Sequence, residues 1–394
     1  MRLINQYRSI ILLLLITLSS SSCRERGGSV EILSDVTVQV VLPEGYDQDE
    51  DEGLIVLMRG ARTSYSSTTD QDGVAIFTDI LPDYYTISAS KSISPSLILS
   101  GQKINYEILS QEQTNVEVDL NEVIKTSFVV SKIYASGVKD DANKNYTADS
   151  YIEFYNNSDE NVLLDSTYYF ALCEAESTPA YPAKDSVDYF FARQVLRFIN
   201  DGTVKVVPPG ESILVSNSAV DHTQNASKSI DLTASDFEAK DLNGKVQNNP
   251  SVPALEQMFT TFASISNMNM ARAGENGVVL FSTTESVRSW PSYNVPGKPT
   301  SSNFYVRIPN STILDGIEVL KSNITPTDVL NRKRMSAKID QGYSAISNTS
   351  GYNGEVIARI ISKDEEGNST LTDSNNSSND CFVSDQVKPK LYNY

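Results

Sequence analysis

His222 is the single histidine of the chain, and it directly follows Asp221. An imidazole beside a carboxylate is the pair that a hydrolase triad or a metal centre would use. No HExxH, CxxC or paired-histidine spacing accompanies it. Asp221 and His222 are therefore the candidate metal ligands, set against the plainer reading of a loop histidine bonded to backbone. A nucleophilic Cys173 or Cys381 would need the same His222 as its base. Phosphate loops of the GxxxxGK[ST] type are absent. Paired carboxylates for glycoside hydrolysis depend on an approach in space that a sequence does not display. The residue inventory thus points to a protein that binds rather than an enzyme, with no cofactor and no catalytic residue. A carboxylate-based hydrolase is the enzymatic alternative.

Aromatic residues are the richer resource. The chain has 20 tyrosines and one tryptophan. Tyr168-Tyr169-Phe170, Tyr181, Tyr189-Phe190-Phe191, Trp290-Pro291-Ser292-Tyr293 and Phe304-Tyr305 are candidates for a binding face, because aromatic rings offer large contact areas. Trp290 and Tyr293 are the preferred ligand-binding pair, since Ser289, Pro291 and Pro296 mark irregular chain around them.

The elements that must carry these residues read as β-strands. Tyr151-Ile152-Glu153-Phe154-Tyr155-Asn156-Asn157-Ser158 alternates large with polar side chains and stops at a turn. Glu153 within it is either a buried, paired acid or simply the solvent-facing member of the alternation. Phe128–Tyr134 reads as another strand. Upstream, Val36, Val38 and Val40 alternate with polar residues, Leu54–Met58 is a continuous apolar run, and Asp70-Gln71-Asp72-Gly73 supplies a tight turn before Val74. Asp47–Glu52 holds five carboxylates in six residues and reads as a solvated loop tip rather than a calcium loop. Two insertions read as short helices: Leu232–Glu238, with capping-box spacing from Ser235 to Glu238, and Ser251–Phe262, where Leu255, Met258, Phe259 and Phe262 share one helical face.

Charge narrows the partners. The chain carries 32 basic and 50 acidic residues, a net charge of −18. Such a surface repels nucleic acid. Arg2 and Arg8 precede the apolar run Ile10–Leu18, which is too short to span a bilayer, and Ser19–Ser22 lead to Cys23. This arrangement resembles a bacterial lipoprotein signal, which implies cleavage before Cys23 and acylation of its thiol and amine. Ser20 stands where leucine is preferred, a departure that lipoproteins of the Bacteroidetes type tolerate. Loss of residues 1–22 would leave 30 basic against 50 acidic residues, a net −20. The chain is then expected to be tethered to the outer membrane by its N-terminal lipid. Arg24-Glu25-Arg26 leaves the choice between cell surface and periplasmic face open. An exported chain permits a disulfide between Cys173 and Cys381, with two buried thiols as the alternative.

Thr69-Asp70-Gln71-Asp72-Gly73-Val74-Ala75-Ile76-Phe77 with Leu81-Pro82-Asp83-Tyr84-Tyr85-Thr86-Ile87 resembles the carboxypeptidase-regulatory and Cna-B families, small transthyretin-like sandwiches that mostly serve as spacers. The later segments Tyr151–Ser158, Val162–Asp165, Pro208–Val215, Asn276–Phe281, Ile313–Ile317 and Thr372–Phe382 resemble, in order, the lamin-tail pattern, an immunoglobulin-like sandwich. The expected organisation is a signal at 1–22, a lipidated tether at 23–28, a small sandwich at 29–121 and an expanded lamin-tail-like sandwich at 125–389. The fold class is all-β, two β-sandwiches with short helical insertions. The combination resembles a family of Bacteroidetes lipoproteins, which implies company with a TonB-dependent receptor and a nutrient such as an iron-bearing ligand or a glycan. A cell-surface adhesin or matrix protein is the structural alternative. Asp165-Ser166-Thr167 and Asp185-Ser186-Val187 resemble a Bacteroidetes O-glycosylation sequon, which makes Ser166 and Ser186 candidate acceptors.

Overall fold

The computed structural model describes residues 33–394 except 47–52, 95–96, 111–112, 125, 174–178, 200, 242, 245, 266 and 364–368. The signal segment, Cys23 and the Asp47–Glu52 run lie outside the described residues. No described helix is long and apolar enough to cross a membrane.

The first eight strands are β1 (Ser34–Val41), β2 (Ile55–Gly60), β3 (Ser64–Thr68), β4 (Val74–Ile80), β5 (Asp83–Ser94), β6 (Leu97–Ile108), β7 (Gln113–Asp119) and β8 (Asn121–Ile124). They form a three-stranded sheet, β4-β1-β7, and a five-stranded sheet, β3-β2-β5-β6-β8. The period-2 pattern dictates the packing: Val36, Val38 and Val40 turn into one core with Val56, Met58, Ile87 and Leu99. Asp70 sets the turn before β4, its Oδ1 accepting from the Asp72 and Val74 N–H groups at 3.0 and 2.9 Å. Gly101 in β6 is required by sterics, since a Cβ there would lie 2.1 Å from the Asp119 carbonyl oxygen. The ladder from β6 to β8 carries this unit through Ile124.

The larger unit begins with β9 (Phe128–Tyr134), β10 (Tyr151–Asn156), β11 (Tyr168–Leu172), β12 (Tyr189–Ala192) and β13 (Gln194–Arg197). It continues with β14 (Ser212–Ser216), β15 (Phe237–Glu238), β16 (Glu256–Thr260), β17 (Asn276–Ser282) and β18 (Ser292–Asn294). It ends with β19 (Phe304–Pro309), β20 (Ile313–Val319), β21 (Val356–Arg359) and β22 (Cys381–Ser384). A six-stranded sheet, β15-β14-β10-β9-β21-β22, faces a five-stranded sheet, β16-β13-β11-β17-β20. Phe128, Ile152, Phe154, Phe170, Leu196 and Leu280 belong to the core between them. The far face of the five-stranded sheet is covered in turn by a three-stranded sheet, β12-β19-β18, whose Phe190, Ala192, Val306 and Ile308 pack with Tyr169, Ala171 and Phe281. The result is an all-β stack of three layers rather than two.

Both helical expectations fail, the longer one because of double coverage. The stretch Ser251–Phe262 contains strand β16, antiparallel to β13. Leu255 enters the core between the two large sheets, while Met258 enters the core on the opposite face. A sheet buried on both sides accepts apolar residues at a spacing that mimics a helical stripe. In Leu232–Glu238, Ser235 Oγ donates to the Leu232 carbonyl at 2.7 Å, and Phe237–Glu238 pairs parallel to β14 as β15. Among the described residues the α-helices are single turns, Val329–Arg332 and Ser377–Asp380.

The second of these turns, with Asn376 at its start and Gln341 beside it, also seams the two units together. Asn376 Nδ2 donates to Gln102 Oε1 at 2.7 Å, Asn379 Nδ2 to Ser88 Oγ at 3.1 Å, and Gln341 Nε2 to the Ser100 carbonyl at 3.3 Å.

Candidate functional site

His222 is 1 % exposed and both its ring nitrogens are engaged. Nε2 sits 2.9 Å from the Ser218 carbonyl oxygen, which can only accept, so Nε2 carries the proton. Nδ1 then accepts from the Tyr146 hydroxyl at 2.6 Å. Asp221 turns away to cap the next turn, its Oδ1 accepting from the Thr223 N–H at 3.0 Å and from the Thr223 hydroxyl at 2.6 Å. The pair proposed from sequence as metal ligands is therefore committed to folding its own loop. Among the described residues no group of three or more histidine, cysteine or acidic side chains is placed to hold a metal ion.

The sequence's other reactive groups are also dispersed. Cys173 and Cys381 form no disulfide: Cys173 packs in the core against the three-stranded sheet, and Cys381 opens β22 in the six-stranded sheet, opposite Arg359. Both thiols are free, Cys173 buried and Cys381 half-buried, rather than two buried thiols. Ser166 sits half-exposed in the turn before β11, where Asp165 Oδ1 accepts from the Thr167 N–H at 2.8 Å and its hydroxyl at 2.6 Å. Ser186 ends a single 3-10 turn, also half-exposed.

Two buried charge clusters hold the larger unit. Glu153 is fully buried and pairs with Lys132 at 2.9 Å, which resolves its two readings in favour of the paired acid. The C-terminal tail closes over this pair, with the Tyr392 hydroxyl donating to Glu153 Oε2 at 2.6 Å. In the second cluster the Arg359 guanidinium meets Asp315 at 2.7 Å, Asp373 at 3.3 Å and Asp380 at 3.4 Å. Three carboxylates around one cation leave excess negative charge in a dry site. Burial, with repulsion from Asp373, pushes Asp315 up to about 7 and Asp380 up to about 6, against the pull of Arg359.

This second cluster makes stability pH-dependent. An unfolded aspartate releases its proton near pH 4, whereas folded Asp315 and Asp380 keep theirs to higher pH. Between about pH 4 and 7 the native state therefore binds more protons, and stability falls as pH rises. Asp221 and Asp328, held low by hydrogen bonds to Thr223 and Arg332 respectively, act in the opposite sense, below the ordinary carboxylate range. The urea midpoint is expected to be higher at pH 5.5 than at pH 8. A midpoint that rises across this interval contradicts the assignment.

The outward face of the three-stranded sheet is where aromatic residues gather. In β12, Phe190 and Ala192 point into the core, so alternation sends Tyr189 and Phe191 outward. In β19, Val306 and Ile308 point inward and Tyr305 and Arg307 outward. Phe191 stands opposite Arg307, and Tyr293 of β18 stands opposite Tyr305. The Arg307 guanidinium carbon lies 4.1 Å from the Tyr189 ring centre and 4.5 Å from that of Tyr293. Tyr181 stacks on Phe191 with ring centres 3.7 Å apart and planes 4° from parallel. Its hydroxyl bonds the Asn294 carbonyl, which fixes the ring in place. Tyr181, Tyr189, Phe191, Tyr293 and Arg307 are all half-buried.

The structure separates the two residues that the sequence joined. Tyr293 belongs to this face. Trp290 instead leans on Phe281, ring centres 6.0 Å apart, at the edge of the inner core, and its indole N–H donates to Glu285 Oε2 at 2.7 Å. Arg307 went unnoticed in the sequence. The signal for it was the alternation Tyr305-Val306-Arg307-Ile308, which places it beside Tyr305.

One solved structure bears on the fold. A DUF4876 family protein from Bacteroides thetaiotaomicron has 23% sequence identity and a TM-score of 0.58, over 88% of this chain and 94% of that one. The Bacillus anthracis TIE protein has 11% identity and a TM-score of 0.20, over 47% of this chain and 28% of that one. No curated protein matches the chain. Residues 208–388, from just before β14 to just past β22, match the family model described as a protein of unknown function (DUF4876).

Proposed function

We propose that the chain is a non-catalytic, lipid-anchored envelope protein that binds a nutrient ligand as an accessory to a TonB-dependent receptor of the outer membrane. On this reading the small sandwich is a Cna-B-like spacer, and the larger unit is an expanded lamin-tail-like domain that presents the ligand face. Cys23 bears the lipid. The observation that carries the reading is the outward face of β12-β19-β18, where Tyr189, Phe191 and Tyr293 surround Arg307. Half-buried rings held by stacking are already ordered, so binding to them costs little further conformational entropy. His222 and Asp221 are absorbed in local hydrogen bonds, which supports binding rather than turnover.

Affinity capture of the native, lipidated protein from its own outer membrane tests this reading. A β-barrel receptor in near-stoichiometric yield is the expected result. Capture of intact protein without any barrel would remove the uptake role. The adhesin reading would then lead, because the aromatic residues occupy a sheet face, a geometry suited to contact with another surface.

A further inference from the structure

We propose that the face around Arg307 is a site for an acidic saccharide, with the guanidinium taking the carboxylate of a hexuronate unit and the tyrosine rings taking the sugar. The proposal rests on the binding reading above and names its ligand class.

Arg307 is unusual within this protein. The other arginines of the larger unit are tied to acids or carbonyls. Arg197 and Arg288 share Glu256, Arg332 meets Asp328, Arg334 meets Glu318, and Arg359 meets three aspartates. Arg193 bonds Asn269, and Arg272 bonds the Ala135 and Thr147 carbonyls. Arg307 makes neither an ion pair nor a hydrogen bond among the described residues; its neighbours are the Tyr189 and Tyr293 rings. In a chain of net charge −18, an arginine whose N–H groups meet neither acid nor carbonyl among the described residues is open to an external anion. The nearest acid in sequence to this face, Asp188, pairs with Lys338 at 3.6 Å.

The geometry suits a carboxylate. Two aromatic faces hold the guanidinium carbon at 4.1 and 4.5 Å, leaving the N–H edge as the part able to bond. That planar edge matches the two oxygens of a carboxylate. The saccharide follows from what flanks it. The Tyr189 and Tyr293 hydroxyls make no hydrogen bond among the described residues, so they are available to sugar hydroxyls. The ring surface of Tyr189, Phe191 and Tyr293 left uncovered by Arg307 and Tyr181 offers contact to the C–H face of a pyranose. A polyphosphate or nucleic acid would bring many charges against an acidic surface, whereas one uronate at a time brings a single charge to the one cation.

The test is isothermal titration of the lipid-free mature chain with the methyl glycosides of galacturonate, glucuronate and mannuronate, each carrying one carboxylate and each set beside its methyl ester. At least one acid form is expected to bind, and its ester to bind at least ten-fold more weakly. Arg307→Gln is expected to weaken the acid form ten-fold or more, and Arg307→Lys to fall between, because it keeps the charge and loses the fork. Tyr293→Leu is expected to weaken both acid and ester. Unchanged melting temperatures qualify each variant as folded. Failure of all three acid forms, equal binding of acid and ester, or unchanged affinity in folded Arg307→Gln each overturns the proposal. Receptor capture from the membrane is read independently. A captured receptor without uronate binding removes the ligand class and spares the uptake role, and the reverse pattern removes the uptake role.

Discussion

Replacing Arg359 with methionine is expected to lower the unfolding free energy by about 3–5 kcal/mol at pH 8. The side chain is 1 % exposed and satisfies groups from four segments of the chain. Nε donates to the Val130 carbonyl at 2.8 Å, Nη1 to the Thr372 carbonyl at 3.0 Å and Nη2 to Asp315 at 2.7 Å. Asp380 in turn accepts from the Ser374 and Asn376 N–H groups at 2.8 and 3.0 Å, which shapes the turn against the small sandwich. Without the cation, Asp315 and Asp380 are buried acids facing Asp373 with nothing to balance them. Their remaining remedy is to take up protons, so the deficit should shrink at pH 5. Arg359→Lys is expected to lose most of the same stability, since one ammonium cannot reach all five acceptors. Urea unfolding at both pH values checks this, and a loss below about 1 kcal/mol at pH 8 contradicts it.

Lys132→Met is expected to produce a loss of similar size, about 3–5 kcal/mol, and to loosen the C-terminal tail. Lys132 Nζ holds that tail through the Lys388 and Leu391 carbonyls, both at 2.9 Å, and lies 3.8 Å from the Tyr392 ring centre. Burial lowers the Lys132 pKa, and the adjacent Glu153 offsets this only in part. Removing the lysine leaves Glu153 charged in a dry site, with the Tyr392 hydroxyl and Lys390 N–H as its remaining partners. Lys132→Met combined with Glu153→Gln should recover much of the loss, because the amide oxygen still accepts from the tail without carrying charge. Carboxypeptidase trimming should be faster in the single variant than in the wild type. Equal trimming rates would show that the pair does not hold the tail.

How far the sequence discloses this arrangement depends on how local each feature is. The strand Tyr151–Asn156 and its neighbour Phe128–Tyr134 are legible because alternation and turn residues act within a few positions. The all-β class follows from the same signals. The alternation leaves Glu153 undecided between its two readings, because its second face is covered by residues more than 230 positions away. The third layer is invisible for a related reason. Its ladder joins Phe190 to Ile308 and Phe191 to Arg307, and nothing local to either strand announces that pairing. That unseen layer also turned β16 into an apparent helix, since it gave Met258 a core on the side opposite Leu255. Tyr293 was reachable as an aromatic on irregular chain. Its partner in sequence, Trp290, lies three positions earlier and faces the inner core, whereas the residues that complete the site, Tyr189 and Arg307, come from two other strands.

On the function proposed above, the outward face of β12-β19-β18 is the working surface of the protein. Hydroxyl-radical footprinting tests it most directly, comparing the protein in vesicles prepared from its own cells with the purified protein. Protection is expected at Tyr189, Phe191 and Tyr293, with the exposed Ile55 and Ile76 of the small sandwich unchanged. Protection elsewhere on the larger unit, with these three rings as reactive as in the purified protein, would contradict the account.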